Sequence, residues 1–122
     1  MQIKLFSFGY KHGSADADTV LDMRFLPNPY YIPELKEGTG LETRISEYVL
    51  DNGVAQDFFK LFEPLLLAYI DKHFKTGRHS MQVAVGCTGG RHRSVAVVEY
   101  LRSILNSSAY ELTVFHRDID KK

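Results

Sequence analysis

Gln82-Val83-Ala84-Val85-Gly86-Cys87-Thr88-Gly89-Gly90-Arg91-His92-Arg93-Ser94-Val95-Ala96-Val97-Val98 is the stretch that decides the fold. Its apolar, β-branched opening reads as a buried strand. Gly86, Gly89 and Gly90 then break the strand, and a helical pattern follows. Strand, glycine loop and helix together turn backbone N–H groups inward, the geometry of an anion nest. Glycine permits the left-handed angles and close approach that such a loop needs. Arg91, His92 and Arg93 add basic groups at the same place. A phosphate or carboxylate site is the first expectation.

Working outward, Ile3 to Phe8 reads as a first strand, with Tyr10-Lys11-His12-Gly13 as the loop after it. Asp16 and Asp18 suit turns or helix caps. Thr19 to Phe25 reads as a second strand. Leu26 to Pro33 contains three prolines and is expected to be a stiff irregular loop. Its Tyr30 and Tyr31 read as loop-packing residues ahead of base-stacking platforms. Gly38-Thr39-Gly40 extends this long connection, and long connections are often functional.

A helix is expected from Thr43 to about Leu50. Val54, Phe58, Phe62, Leu65 and Tyr69 then follow helical spacing, with Phe59, Leu66 and Ile70 widening the stripe. Pro64 should kink this segment or open a new helix. Met81 to Val85 is the third strand. The helix after the glycine loop should run from about His92 to Leu105, burying Val95, Ala96, Val98 and Leu101 or Leu105, and stop at Asn106-Ser107-Ser108. Glu111 to Phe115 is the fourth strand. Strand–helix–strand crossovers are right-handed by default, which makes the last two strands parallel. The expected fold is α/β: a mostly parallel sheet of about four strands flanked by helices, forming a single-domain sandwich over residues 1–122. In such a sheet the segments after each strand share one edge, where ligands bind. Here those segments carry Tyr10, Lys11 and His12; Arg24; Cys87 to Ser94; and His116 with Arg117.

Composition narrows the function. With 15 basic and 15 acidic residues the formal charge is zero, so only a local patch could favour nucleic acid or membrane. One cysteine excludes an internal disulfide and points to a reducing, cytoplasmic setting. Met1 to Phe8 is too short and interrupted for a signal peptide, and no run approaches the ~18 apolar residues of a membrane span. No His/Cys/Asp set has metal-ligand spacing, and no cofactor is expected.

Two chemistries compete for the glycine loop. Cys87 to Ser94 fits C-x-x-G-x-x-R-[ST], the phosphate loop of cysteine-dependent phosphatases, with Cys87 as nucleophile, Arg93 gripping the phosphoryl oxygens and Ser94 assisting the leaving thiolate. Against this, Gly86 stands where those enzymes carry a histidine, and no aspartate is placed as general acid. A small, buried, inert residue at a strand end is the preferred reading of Cys87. Arg93 at a helix start opposes the dipole unless an anion sits there, so a binding role leads for it. His92 reads equally well as a capping or packing residue; His116 could be a packed edge residue, though its neighbour Arg117 favours function; Arg24 reads as an ion-pair partner of Asp22 or Asp18. A protein-binding module using the Pro-Tyr loop is a third possibility.

Phe8 to Gly13, Asp16-Ala17-Asp18, Asp22 to Tyr30, Thr39-Gly40-Leu41, Gly86 to Val95 and His116-Arg117-Asp118 together resemble the C-terminal domain of the RapZ family of RNase adapter proteins. The resemblance covers essentially the whole chain. It implies a non-enzymatic regulatory domain that binds glucosamine-6-phosphate or a similar phosphorylated metabolite, and small regulatory RNA. The implied ligand positions are Thr88, Gly89, Gly90, His92, Arg93 and Ser94, with Arg24, His12, His116 and Arg117 as neighbours. Family members also carry an N-terminal P-loop kinase-like half; no Walker motif occurs here, so a stand-alone domain is expected. The loop Ser107 to Glu111 has no basic residue, leaving Lys121 and Lys122 as the RNA contacts. A homo-oligomer is compatible with the family.

Overall fold

The computed structural model describes residues 1–106 and 109–122; the expected helix stop at Ser107-Ser108 lies outside the described residues. Four strands, β1 (Gln2–Gly9), β2 (Thr19–Asp22), β3 (Ser80–Cys87) and β4 (Glu111–His116), form one sheet in the order β2-β3-β1-β4. Every neighbouring pair is parallel. All four strands therefore deliver their following segments to one edge. Four helices accompany them among the described residues: α1 (Pro33–Lys36), α2 (Thr43–Leu50), α3 (Gly53–Lys75) and α4 (Arg93–Leu105).

Side-chain alternation along the strands sorts the core into two layers. Ile3 and Leu5 of β1 and Met81, Val83 and Val85 of β3 join Ile70, Leu66 and Phe59 of α3 and Val97, Val98, Leu101 and Leu105 of α4 in the main core. The opposite face carries the smaller cluster of Phe6, Phe8 and Ala84, covered by Tyr10, Ala15 and Ala17 rather than by a helix. The connections from β2 to β3 and from β3 to β4 step one way along the sheet and lie on the helical face. The connection from β1 to β2 steps the other way and lies on the opposite face. A uniform crossover hand demands that separation. Adjacent β1 and β3 thus send their chains to opposite faces, which opens a crevice between their C-terminal ends.

Three local expectations are corrected. β2 ends at Asp22 rather than Phe25. The Asp22 carboxylate accepts the Arg24 amide at 3.0 Å and its guanidinium at 2.6 Å, and this turns the chain. The proline-rich loop is not irregular throughout: Pro29–Tyr31 forms a 3-10 turn capped by Asn28, and Pro33 opens α1, since proline is tolerated in a first helical turn. In α3 the chain runs unbroken through Pro64, whose missing N–H falls on the solvent side. The buried line of α3 is Ala55, Phe59, Leu66 and Ile70, while Val54, Leu65 and Tyr69 are exposed. Apolar residues occur on adjacent faces of that helix, so periodicity alone does not set its rotation. In α4 all of Val95 to Val98, Leu101 and Leu105 are buried.

The chain after β4 returns to the end of β1. Asp118 is fully buried, and its carboxylate accepts the Gly9 amide at 2.8 Å, the Arg117 guanidinium at 2.8 Å and the Lys121 ammonium at 2.7 Å. Burial pushes its pKa up, but Arg117, the Gly9 amide and Lys121 more than offset this and hold it at about 2, below the ordinary 3.8. Because the folded value lies below the unfolded one, the charged carboxylate stabilises the fold above pH ~4, and that stabilisation is lost as pH falls towards 2. Urea denaturation should show Asp118→Asn losing about 2 kcal/mol at pH 7, with the gap to wild type closing between pH 4 and 2.

Candidate functional site

A cavity of about 450 Å³ opens between the ends of β1 and β3. Thr88 to Arg93 form its floor, Lys11 one side, Asn28, Tyr30 and Tyr31 a second, and Lys36, Glu37 and Lys122 the rim. This is the switch point of the sheet, where open parallel folds bind ligands.

Close backbone approach shapes the floor. Gly90 has φ of 79°, and a Cβ there would lie 2.6 Å from the Gly9 nitrogen and 2.9 Å from the Phe8 carbonyl carbon. Only glycine fits. Among the described residues, the amides of Gly89, Gly90, Arg91 and His92 make no hydrogen bond within the protein. They lie just ahead of α4, whose dipole places partial positive charge at the same spot. Lys11, Lys36, Arg91, Arg93 and Lys122 bring cations to the lining against the single carboxylate of Glu37. A cavity of this sign and size suits a small anion.

The basic residues of the loop do different work. Arg93 is 5% exposed; its guanidinium donates to the carbonyls of Arg24 at 2.7 Å and Leu26 at 3.4 Å, and to Thr88 Oγ1 at 3.4 Å. Those carbonyls satisfy a cation at a helix start without an anion. Arg91 donates to the Ile119 carbonyl at 3.0 Å and the Glu37 carbonyl at 3.4 Å, and its own carbonyl accepts the Gly40 amide at 2.8 Å. His92 Nε2 lies 2.9 Å from the Lys36 carbonyl. A carbonyl can only accept, so Nε2 carries the proton. Burial pushes the His92 pKa down, with backbone hydrogen bonds at Gly38 and Lys36 opposing, so the ring is neutral at pH 7. Arg93, Arg91 and His92 therefore tie the Arg24-to-Gly40 connection to the glycine loop.

Of the residues singled out in the sequence, Lys11, Cys87, Thr88, Gly89, Gly90, Arg91, His92 and Arg93 line the cavity. Ser94 lies behind it, fully buried, and accepts a 3.1 Å hydrogen bond from the Cys87 thiol. Arg24, His12, His116 and Arg117 do not line it. Arg24 pairs with Asp22 and stacks over the Tyr10 ring at 4.1 Å. His116 donates from Nε2 to Glu99 at 2.8 Å and takes the Ser7 hydroxyl at Nδ1 at 2.7 Å. Arg117 clamps Asp118 and the carbonyls of Gly13 and Ser14. His12 Nε2 is buried without a partner. Lys121 is bound to Asp118, and Lys122 lies on the cavity rim, 3.8 Å from Glu37. Tyr30 and Tyr31, expected to pack the loop, are instead 52% and 76% exposed. Sequence reasoning missed Asn28, Lys36 and Glu37. No local pattern marks them, because a fold-back of the long connection brings them in. Among the described residues no group of His, Cys, Asp and Glu could hold a metal ion, and no helix is long and apolar enough to cross a membrane.

Fold and cavity define a parallel α/β domain with a glycine-loop cleft at its switch point. The chain belongs to the RapZ C-terminal domain family, whose model matches residues 1–120. Among curated proteins it is similar to the "Nucleotide-binding protein" of Limosilactobacillus fermentum, 45% identical over 120 residues, and to that of Caldicellulosiruptor saccharolyticus, 44% identical over 122 residues. The protein of the same name from Clostridium botulinum is 43% identical over 120 residues. These matches cover 98%, 99% and 98% of this chain but only 42%, 42% and 41% of the relatives.

The close approach at Gly90 is directly testable. Gly90→Ala should lose about 2–4 kcal/mol in urea denaturation through backbone strain and the clash with Gly9. Gly89→Ala is the control: its methyl would meet only the Lys11 side chain, at 4.0 Å, and its stability should stay close to wild type.

Proposed function

We propose that this domain is a non-enzymatic receptor for a phosphorylated small metabolite, a hexosamine phosphate such as glucosamine-6-phosphate, held in the Gly86–Ser94 loop. One observation carries the reading: among the described residues the amides of Gly89 to His92 make no hydrogen bond within the protein, and these residues line a cavity together with Lys11, Lys36 and Lys122. The phosphate would take the amides, and the ammonium groups would neutralise it without a metal. Membership of the RapZ C-terminal domain family supports a regulatory role. The relatives' shared name puts nucleoside phosphates among the candidate ligands. Those proteins are more than twice as long as this chain, so their name does not assign that binding to the matched part. Lys121, expected as an RNA contact, is paired with the buried Asp118 carboxylate, and Lys122 lines the cavity, which favours a small anion as the primary ligand.

Three features favour receptor over phosphatase. The Cys87 thiol is 2% exposed and spends its proton on Ser94. The Arg93 guanidinium is committed to backbone carbonyls. A side chain at Gly86 would strike the rings of Phe8 and Tyr10, so the phosphatase histidine has no room there.

Calorimetry with glucosamine-6-phosphate should give saturable binding at low salt. Lys11→Ala should weaken it by about tenfold, since one lost charge-assisted contact is worth roughly 1.5 kcal/mol. Absence of heat, or equal binding by the variant, overturns the proposal. An aryl phosphate should not be hydrolysed at any pH from 5 to 9; turnover abolished by Cys87→Ser would instead establish the phosphatase.

A further inference from the structure

The cavity holds more than an anion cradle. Its second wall is Tyr30 and Tyr31, set edge to face at 5.7 Å and 87°. Both rings are left solvent-facing, although exposing large aromatics costs burial energy. Their backbone is held firmly. Asn28 Oδ1 accepts the Tyr30 amide at 3.1 Å, the Asn28 carbonyl accepts the Tyr31 amide at 3.2 Å, and the Pro29 carbonyl accepts the Ile32 amide at 2.9 Å. Lys36 Nζ sits 4.5 Å from the Tyr30 ring centroid and occupies one of its faces. Tyr30 thereby braces Tyr31, whose ring is the more exposed of the two. This wall is also tied to the floor. Arg93 grips the carbonyls of Arg24 and Leu26 just before it, and His92 grips the Lys36 carbonyl just after it. An inorganic anion would use only the floor, leaving most of the 450 Å³ empty.

We infer that Tyr31 is a specificity-determining residue that selects phosphate esters carrying a ring, with the phosphate in the glycine loop and a ring face stacked on the tyrosine. This rests on the phosphate-receptor reading above and adds the residue that reads the ring the phosphate carries. Two sources share this chemistry: a pyranose, whose axial C–H groups pack on an aromatic face, and a nucleobase, which stacks on it. A linear phosphate ester of equal charge lacks it.

The test compares inorganic phosphate, glycerol 3-phosphate, glucose 6-phosphate, glucosamine 6-phosphate and adenosine 5′-monophosphate by calorimetry and ligand-observed NMR, on wild type, Tyr31→Ala and Tyr31→Phe. At least one ring phosphate should bind wild type about tenfold or more tighter than glycerol 3-phosphate, with its ring protons shifted upfield. Whichever ring phosphate binds tighter identifies the source. Tyr31→Ala should bring the ring phosphates down to the affinity of glycerol 3-phosphate, weakening them more than it weakens inorganic phosphate, and Tyr31→Phe should keep the preference. Equal binding of ring and linear phosphates by wild type, or uniform weakening of every phosphate by Tyr31→Ala, overturns the selector. If inorganic phosphate and all the esters fail to bind wild type, the receptor reading itself falls, and the selector with it.

Discussion

The buried carboxylate of Asp118 is the contact on which the site depends. It takes the amide at the end of β1 and, through Arg117 and Lys121, pins the C-terminal segment beside it. Gly90 packs its backbone against the same point, within reach of the Asp118 side chain. A carboxylate in a buried site is costly unless its lone pairs are filled and its charge is matched. Here three donors do both, and the depressed pKa records their surplus over burial. The result is a fixed distance between β1 and the glycine loop, without which the crevice at the switch point would have no defined shape.

Around that joint the basic side chains act mainly as struts. Arg93, Arg91 and His92 all spend hydrogen bonds on carbonyls of the long connection between β2 and α2. Loop backbone is normally satisfied by water at the surface. Here cationic and imidazole donors take the carbonyls of Arg24, Lys36 and Glu37, and the loop is tied down as a wall of the cavity. The guanidiniums still contribute positive potential to the cavity, but the groups best placed to meet an anion are the lysines and the unused amides. The division of labour follows from chemistry: a forked guanidinium suits several fixed carbonyls at once, whereas an ammonium on a flexible stem adapts to a ligand.

Much of the fold was legible beforehand. The run Val83 to Val85 is buried on both faces of a central strand, so it reads as continuous apolar sequence. The glycines after it had to break the strand, and α4 buries the residues expected of it. The floor of the cavity was legible for the same reason, since Thr88 to Arg93 are contiguous. What misled was equivalence by proximity. His116 and Arg117 do follow a strand at the binding edge, yet their side chains turn to Glu99, Ser7 and Asp118. Strand position places a Cα; the partners available within a few ångströms decide where the side chain goes. The rotation of α3 failed for a related reason, because apolar residues on two neighbouring faces leave the choice to packing.

By itself, the sequence determined the strand–loop–helix unit, the parallel α/β class and the presence of a glycine loop followed by basic residues. All of these are set by local steric and periodic rules acting within a few residues. Only the tertiary structure decided that Lys36, Glu37, Tyr30 and Tyr31 face that loop, that Lys122 reaches its rim, and that Arg93 serves as a strut. Those outcomes rest on contacts between residues such as Arg24 and Arg93, 69 positions apart, or Gly9 and Asp118, 109 apart. Their geometry exists only after the sheet order has brought the strand ends together.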